Sequence, residues 1–236
     1  MKMNSSTRRI LGALIFALGV VAGTLLTAGL AWGGLEATLY GFERYTNNHF
    51  DGLACPLIMT RSESAIIRIT VNNPSNMVIT PYMTIDLSTR AAPDRQRVQV
   101  TVPPGEAREL QASVSSENID RMFFIFVKAN RSASYPADTA EALCGILVLD
   151  APGLNGTQIL ILWLALGLIC TPLGWWLWLS GVERQSRVQG VMRALTVITL
   201  GGLLMALPGF LWMPAGLLVV VTLLLGMSLL RLAIRV

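Results

Sequence analysis

Four long apolar segments, three without a charged residue and the fourth with a single arginine near its end, constrain this 236-residue chain more than any other feature. A helix needs roughly 20 apolar residues to cross about 30 Å of hydrocarbon, and no face of these segments is polar enough for a helix at the surface of a soluble domain. Only 14% of residues are charged, against about 25% in average soluble domains. The sequence predicts an integral membrane protein whose transmembrane helices are residues 10–35, 158–179, 194–212 and 215–234.

The charges predict the orientation of these helices. Residues 36–157 contain ten basic and 13 acidic residues, a net charge of −3, whereas the rest of the chain has a net charge of +7. The basic excess lies in residues 1–9, in the loop 180–193 and at the C-terminus, and the positive-inside rule places such segments in the cytoplasm. We therefore expect a multi-pass plasma (inner) membrane protein with both termini and the loop 180–193 cytoplasmic and residues 36–157 extracytoplasmic. The cations form no stripe or motif typical of nucleic-acid binding.

The first apolar segment is compatible with either a cleaved signal peptide or a retained anchor. A basic start followed by an apolar stretch and small residues resembles a signal peptide, but the segment is longer than the usual signal core. Gly19, Gly23, Thr27 and Ala31 recur every four residues and form a small-residue face that allows close helix packing. A signal peptide that is removed has no use for such a face, so the sequence favours a retained anchor.

Alternation of apolar and polar residues replaces continuous hydrophobicity between the first two apolar segments. Period two is typical of half-buried strands. Residues 72–76 form a turn cluster, and Pro103, Pro104 and Gly105 predict a hairpin connection between the strands on either side. The predicted strands include the alternating runs 65–71, 83–87, 98–102 and 110–114 and the more apolar, central runs 123–127 and 146–149.

The pattern from residue 63 to residue 150 resembles the immunoglobulin-like domains of bacterial surface proteins. The resemblance lies in the strand–NNPSN–strand unit and in the VxVxVPPGExxxL segment. It implies an interaction module and no chemistry. The predicted fold is therefore an α+β membrane protein in which a juxtamembrane linker, 36–54, leads into an extracytoplasmic immunoglobulin-like antiparallel β-sandwich, 55–150, inserted between transmembrane helices 1 and 2.

Cys55 and Cys144 lie near the two ends of the predicted sandwich. In an extracytoplasmic, oxidising compartment these two residues can form a disulfide that ties the entering segment to the last strand. The alternative is a pair of free thiols packed as small apolar side chains. Cys170 lies within the second apolar segment and is expected to pack between helices.

A long loop is predicted to lie at the end of the sandwich away from the membrane. Residues 130–141 precede the strand that returns to the second transmembrane helix, and the loop contains Arg131, Tyr135, Pro136 and Asp138. Loops on a rigid sandwich often take part in recognition. These four residues form the candidate partner loop.

Side chains typical of catalysis or metal binding are scarce. His49 is the only histidine and has no further ligands at a suitable spacing, and no nucleophile–base motif is present. Aromatic residues in 36–50 are expected in the lipid head-group layer, and Pro172 is expected to kink its helix. The sequence predicts no catalytic residues, metal or cofactor.

These observations lead to three functional hypotheses. The first is a non-enzymatic accessory or assembly subunit of a larger membrane complex, with the lipid bilayer and other membrane protein subunits as its partners and no nucleic acid. The alternative is a surface module that binds or senses an extracytoplasmic ligand or protein. A lipid or small-molecule transporter component is disfavoured, because the interiors of the apolar segments contain no Asp, Glu, Lys, Arg or His residue.

Overall fold

The computed structural model describes residues 5–43, 46–180 and 187–206, which separate into two compact units. One unit is helical and comprises the described residues up to Trp32 and those from Leu160 onward. The other spans Gly33–Ile159 and is mainly β structure. The fold is thus a mixed α+β arrangement with a long N-terminal apolar helix, and each unit is described by itself below.

Three helical segments lie in the described part of the chain. Helix α1 spans Ser5–Leu39, so it extends past the apolar segment 10–35 at both ends. The second segment is continuous from Gly156 to Leu179, and both it and α1 are long and apolar enough to cross a membrane by length and composition. Helix α4, Arg187–Ala206, includes residues 187–193, which we expected in a loop. The expected helix 215–234 lies outside the described residues.

A proline changes the middle of the second helical segment. Helix α2, Gly156–Ala165, passes into a π-helical turn, Leu166–Cys170, and then into α3, Thr171–Leu179. Pro172 has no N–H to donate, and its ring clashes with a carbonyl one turn earlier. The wider π turn directly before Pro172 accommodates that clash, and the segment continues as one helical run.

Two β-sheets form the second unit. The three-stranded sheet has the order β1-β3-β6 and is antiparallel, and the five-stranded sheet has the order β2-β8-β7-β4-β5, antiparallel except for the short β2–β8 pair. A 3-10 turn, Ser116–Asn118, precedes β7. The strands are β1 Leu53–Ala54, β2 Ile58–Met59, β3 Ala65–Asn72, β4 Tyr82–Leu87, β5 Asp94–Gln99, β6 Ala107–Val114, β7 Phe124–Arg131 and β8 Ala140–Val148.

Inward side chains from both sheets form one apolar core. The alternation predicted for residues 65–71 is present in β3, whose Ile67, Ile69 and Val71 are buried while the residues between them are exposed. Successive side chains of a strand point to opposite faces, so each strand contributes every second residue. Ile85 of β4 and Ile125 of β7 lie in the same core. The coarse prediction of a β-sandwich between two apolar helices is confirmed.

The predicted hairpin at residues 103–105 is wrong. Strand β5 pairs with β4 and strand β6 pairs with β3, so this connection crosses from one sheet to the other. Strand β5 also ends at Gln99, earlier than expected, and is the outermost strand of the five-stranded sheet. Val98 is 44% exposed, unlike Val100 and Val102, because a strand at the edge of a sheet is covered less by the opposing sheet.

The crossover is fixed by an asparagine from the predicted turn cluster. The buried Asn73 side chain donates from Nδ2 to the carbonyls of Met77 at 2.7 Å and Val102 at 2.9 Å, and its Oδ1 accepts from the Ser75 hydroxyl at 2.6 Å. These hydrogen bonds join the β3–β4 connection to the β5–β6 connection. Satisfied buried amides of this kind fix loop geometry.

The disulfide expected from the sequence is present. Cys55 and Cys144 are joined, with their Cα atoms 6.6 Å apart and 89 residues apart in sequence. Cys55 follows β1 of the smaller sheet, and Cys144 lies in β8 of the larger sheet. The bond therefore links the segment entering the sandwich to its last strand.

Candidate functional site

Strand β7 is buried on both faces, which is unusual for a sandwich whose outer face is exposed to water. Ile125 and the alternating residues after it point into the core, whereas Phe124 and Phe126 lie on the outer face. The end of α1 and the residues after it cover this outer face. A Cβ on Gly33 would lie 3.1 Å from Cε1 of Phe124, and the Tyr40 and Phe126 ring centroids are 4.8 Å apart.

The linker aromatics pack on this sheet, a contact that the sequence did not predict. Phe42 is buried, and its ring centroid lies 4.6 Å from that of Tyr40. Burial, together with a hydrogen bond to Asp120 and the negative charge of that residue, raises the pKa of the Tyr40 hydroxyl to about 12. Tyr45 lies outside the described residues. The two described rings pack on the sheet because it offers them a complementary apolar surface.

Next to Phe124 and Phe126, the same outer face carries an ionic cluster that is buried on the sheet and exposed at its edge. Lys128 is 1% exposed, and its Nζ lies 2.8 Å from Oε2 of Glu141 and also donates to the main-chain carbonyl of Glu43. On the next strands, Arg95 Nε donates to Oδ1 of the fully buried Asp86 at 2.6 Å. We name Lys128, Glu141, Glu43, Asp86 and Arg95 the ionic cluster. Removing two charges from water is costly unless they are paired, and here Lys128 is paired with Glu141 and Asp86 with Arg95.

The ionic cluster holds the linker on the sheet. Arg95 also lies 3.5 Å from the Glu43 carboxylate, so Glu43 is contacted through both its side chain and its carbonyl. Farther along, the main-chain N–H of Glu141 donates to Asn48 at 2.8 Å. The cluster thus attaches the linker to the sheet, and its two cations contact carboxylates and a main-chain carbonyl of the chain itself.

Two side chains in this polar region have buried atoms without a hydrogen-bond partner among the described residues, namely Asp86 at Oδ2 and Asn130. The Asn130 side chain is buried on the same face of β7 as Lys128. Neither its Oδ1 nor its Nδ2 has a hydrogen-bond partner in the described part of the chain. Buried amides are normally satisfied. The strand register places Asn130 between Glu141 of β8 and Thr84 of β4.

A second group of polar contacts lies at the base of the sandwich, which is the end where α2 begins. Glu63 Oε2 accepts hydrogen bonds from the Gly156 N–H at 2.9 Å and from the Thr60 N–H at 2.6 Å. Burial alone would raise the pKa of the Glu63 carboxyl, but these N–H groups and the Thr60 hydroxyl lower it below its ordinary value. A carboxylate at Gly156 also suits the partial positive charge at the start of α2.

The predicted small-residue face packs within the chain. Gly19 and Gly23 are buried, and a Cβ on Gly19 would lie 2.6 Å from Oγ1 of Thr171, whereas a Cβ on Gly23 would lie 2.5 Å from Cγ2 of Thr199. Thr27 is buried and donates to the carbonyl of Gly23 at 2.8 Å. Ala31 is half-buried. In the described residues, then, the helices that approach this face are the chain's own.

The candidate partner loop is shorter than the sequence predicts, and main-chain hydrogen bonds close it. Strands β7 and β8 extend into both ends of residues 130–141, which leaves a tight turn from Ser134 to Ala137 closed by two main-chain hydrogen bonds of 2.9 and 2.8 Å. Tyr135 and Pro136 occupy the two central positions of the turn, joined by a cis peptide bond, as in a type VI turn. Arg131 and Asp138 are brought together, since the guanidinium donates to the Asp138 carbonyl.

The turn presents one large side chain to solvent. Tyr135 is 82% exposed. Neighbouring hydroxyl groups fix the hairpin, because Ser134 Oγ accepts from the Thr80 N–H and Ser132 Oγ accepts from the Tyr82 N–H, both at 2.8 Å. We name residues 132–139 the Tyr135 hairpin. Tyrosine is among the residues enriched at the energetically dominant positions of protein interfaces.

A metal centre finds no support in the described ranges. Within them, no group of three His, Cys, Asp or Glu residues could hold a metal ion. The exposed His49 forms an isolated main-chain bridge with Glu141. Cys170 has a free thiol and is half-buried.

Comparisons with known proteins identify no family. No family model matches the chain, and no curated protein matches it. Among solved structures, a Paenibacillus cycloisomaltooligosaccharide glucanotransferase matches 44% of this chain and 14% of its own, with 14% identity and a TM-score of 0.34. A CARDB domain from Pyrococcus furiosus, solved with di-metal ions, matches 46% of this chain and 98% of its own, with 12% identity and a TM-score of 0.32.

A β-glucosidase from Erythrobacter marinus is similar over 39% of this chain and 14% of its own, with 14% identity and a TM-score of 0.29. The chain spans only a small part of the length of the two enzymes that it matches. The similarities are too low to assign any activity, so the functional argument depends on the residues themselves.

Sequence reasoning missed the ionic cluster. Lys128 directly follows the apolar run Phe124–Val127 within strand β7. A lysine in a central strand is itself a signal that a buried partner is needed. The partner Glu141 is 13 residues away in sequence and becomes a neighbour only through the β7–β8 pairing. Nothing local indicated that Glu43 and Arg95 would join them.

Proposed function

We propose that this chain is a non-enzymatic membrane-anchored protein whose β-sandwich contacts another membrane protein, as an accessory or assembly subunit. The proposal includes four transmembrane helices, cytoplasmic termini and an extracytoplasmic sandwich. Two helical segments with the length and composition of membrane spans support the anchoring. The charge distribution supports the orientation, since the basic excess lies outside residues 36–157.

The observation that carries the proposed partner contact is Tyr135. Interfaces are enriched in aromatic anchors, and a side chain that is already held by its scaffold loses little conformational freedom on binding. The Tyr135 hairpin meets both conditions, because its backbone is closed on itself and its serine hydroxyls are bonded to the adjacent strand. The small-residue face of α1 no longer supports an external partner, because the chain's own helices cover it.

The position of the sandwich along the chain favours a contact made close to the bilayer. The linker is packed on the sheet by Tyr40, Phe42 and the ionic cluster, so it is not a free tether between the end of α1 and the β structure. A partner that contacts the Tyr135 hairpin then lies within about the height of one sandwich from the membrane. That height is about 30 Å, the length of the nine-residue strand β8. Another protein of the same membrane fits that distance.

Site-specific photo-cross-linking in intact cells tests the partner contact. A benzophenone amino acid replaces Tyr135 in one variant and Ile66 in the control. Ile66 is an apolar, 57% exposed residue on the other sheet. We expect a discrete cross-linked protein from position 135 and none from position 66. Equal, diffuse labelling from both positions would contradict the proposed contact.

Membrane anchoring is tested separately. Alkaline extraction should leave the chain in the membrane pellet, and protease added to intact, wall-stripped cells should cut within residues 36–157 but not within 180–193. Release at alkaline pH would refute the anchoring, and the reverse cleavage pattern would refute the orientation. The alternative hypothesis, recognition of an extracytoplasmic ligand, would be favoured if Tyr135→Ala abolished the cellular phenotype while position 135 cross-linked to no protein.

A further inference from the structure

A tight loop at the base of the sandwich exposes two large apolar side chains. Asp120 and Phe124 close this loop through two main-chain hydrogen bonds of 2.8 and 3.2 Å. Between them, Met122 is 76% exposed and Phe123 is 44% exposed. We name residues 121–123 the basal loop. An apolar pair at the tip of a closed loop is costly to keep in water, which suggests that something apolar covers it.

The backbone of the basal loop is held in an unfavourable conformation. Arg121 and Met122 have φ angles of +47° and +71°, in the left-handed region that glycine and asparagine normally occupy. Strained non-glycine residues persist where the surrounding structure fixes them, and they are common at functional positions. The more exposed apolar residue of the loop, Met122, is one of these two strained residues.

Polar contacts place the basal loop beside residues at both chain ends of the β unit. On one side, Arg121 forms an ion pair with Glu36, the residue directly after the apolar segment 10–35. On the other side, Arg61 donates to the Met122 carbonyl at 3.2 Å and pairs with Asp150 at 3.1 Å. The chain then reaches the helix that begins at Gly156, whose first N–H is bound by Glu63. The loop therefore lies beside the residues through which the chain enters and leaves this unit.

We infer that the basal loop inserts Met122 and Phe123 into the outer head-group and acyl boundary of the bilayer, as a third membrane contact beside the two helical segments. This inference rests on the proposed membrane anchoring. The composition fits an interfacial site, because apolar side chains at the tip are flanked by arginines that suit the head-group layer. Leu154, in the short connection before α2, is another exposed apolar residue at this end of the unit.

Fluorophore depth measurements test the inference on the full chain in phosphatidylcholine–phosphatidylglycerol vesicles. Cys170→Ser leaves the disulfide cysteines as the only other cysteines. An environment-sensitive label is then attached at Met122→Cys, with Phe123→Cys as a second variant. Tyr135→Cys is the control for an exposed loop, and Leu18→Cys, on an exposed position of α1, is the control for the acyl region. Retention of the disulfide on a non-reducing gel reports that each variant folds.

The expected result is that aqueous iodide quenches the labels at 122 and 123 severalfold less than the label at 135. Lipids with a nitroxide near the head group should quench 122 and 123 strongly, and lipids with a deep nitroxide should quench position 18. Iodide quenching at 122 and 123 equal to that at 135, with position 18 still quenched by lipid, would overturn the basal-loop inference alone. Shielding from iodide without quenching by lipid would also overturn it, because a protein would then cover the loop. Iodide access at position 18 would overturn the membrane anchoring and the inference together.

Discussion

Lys128→Met should be among the most damaging single substitutions in the sandwich. The ammonium group is almost completely buried and lies 2.8 Å from the Glu141 carboxylate. The substitution keeps a long apolar side chain in place of the lysine stem, so it changes the charge far more than the packing. It deprives a buried carboxylate of its neighbouring cation and the Glu43 carbonyl of a donor.

The expected magnitude follows from the burial of the pair. Breaking a buried ion pair by removing one partner costs about 3–5 kcal/mol, whereas replacing both partners by apolar residues is about neutral or stabilising. Lys128→Met and Glu141→Leu should therefore each cost about 3–5 kcal/mol, and the double variant should recover most of that loss. With a urea slope of about 2 kcal/mol/M, each single variant lowers the unfolding midpoint by about 2 M.

The assay must report on the sandwich within the full chain. All six tryptophans lie outside Gly33–Ile159, so intrinsic tryptophan fluorescence does not follow this unit. Pulse proteolysis across a urea series in constant detergent does, because cleavage between residues 36 and 157 measures the unfolded fraction. The matched control is the exposed pair Arg68 and Glu109, 3.9 Å apart, where Arg68→Met should cost at most about 1 kcal/mol.

Two results would refute this reasoning. If Lys128→Met lowered stability no more than Arg68→Met, the ammonium would be hydrated rather than buried. If the double variant were as unstable as the sum of the single variants, Lys128 and Glu141 would act independently, and the ionic cluster would not hold the linker as described.

Three further predictions follow from single contacts. Replacing Cys55 and Cys144 by serine removes a link across 89 residues and should cost about 4 kcal/mol of sandwich stability, measured by the urea midpoint and reproduced by reducing the natural chain. Glu63 has a lowered pKa, so its contribution is present above about pH 4.5 and is lost as the pH falls through the folded-state pKa. Thermal unfolding measured from about pH 3 to about pH 7 should show a higher melting temperature for the natural chain than for Glu63→Gln near pH 7 only. A difference in melting temperature that did not change with pH would contradict this coupling between protonation and stability. Gly23→Leu should lower the melting temperature of the helical unit, measured by tryptophan fluorescence, whereas Gly201→Leu, whose Cβ meets no atom of the described residues within 4 Å, should not.

The two kinds of pattern in the sequence were enough to predict the elements. Uncharged apolar runs predicted the long helices, and alternation predicted β3, β4 and β6, because both periodicities record which side of an element is buried. The Cys55–Cys144 pairing was also accessible, since the two residues lie at the ends of one predicted domain. Exposure of Tyr135 was expected from its place in a loop between strands.

Pairing between distant elements was decided by the tertiary structure alone. Residues 103–105 read as a hairpin turn, but β5 and β6 joined different sheets, because strand partners are chosen by packing across the whole core and not by the turn between them. Lys128, Glu141 and Glu43 are far apart in sequence, and they contact one another only because the linker packs on β7. Local periodicity reports the face on which a side chain lies, whereas the partner on that face is set by contacts between residues far apart in the chain.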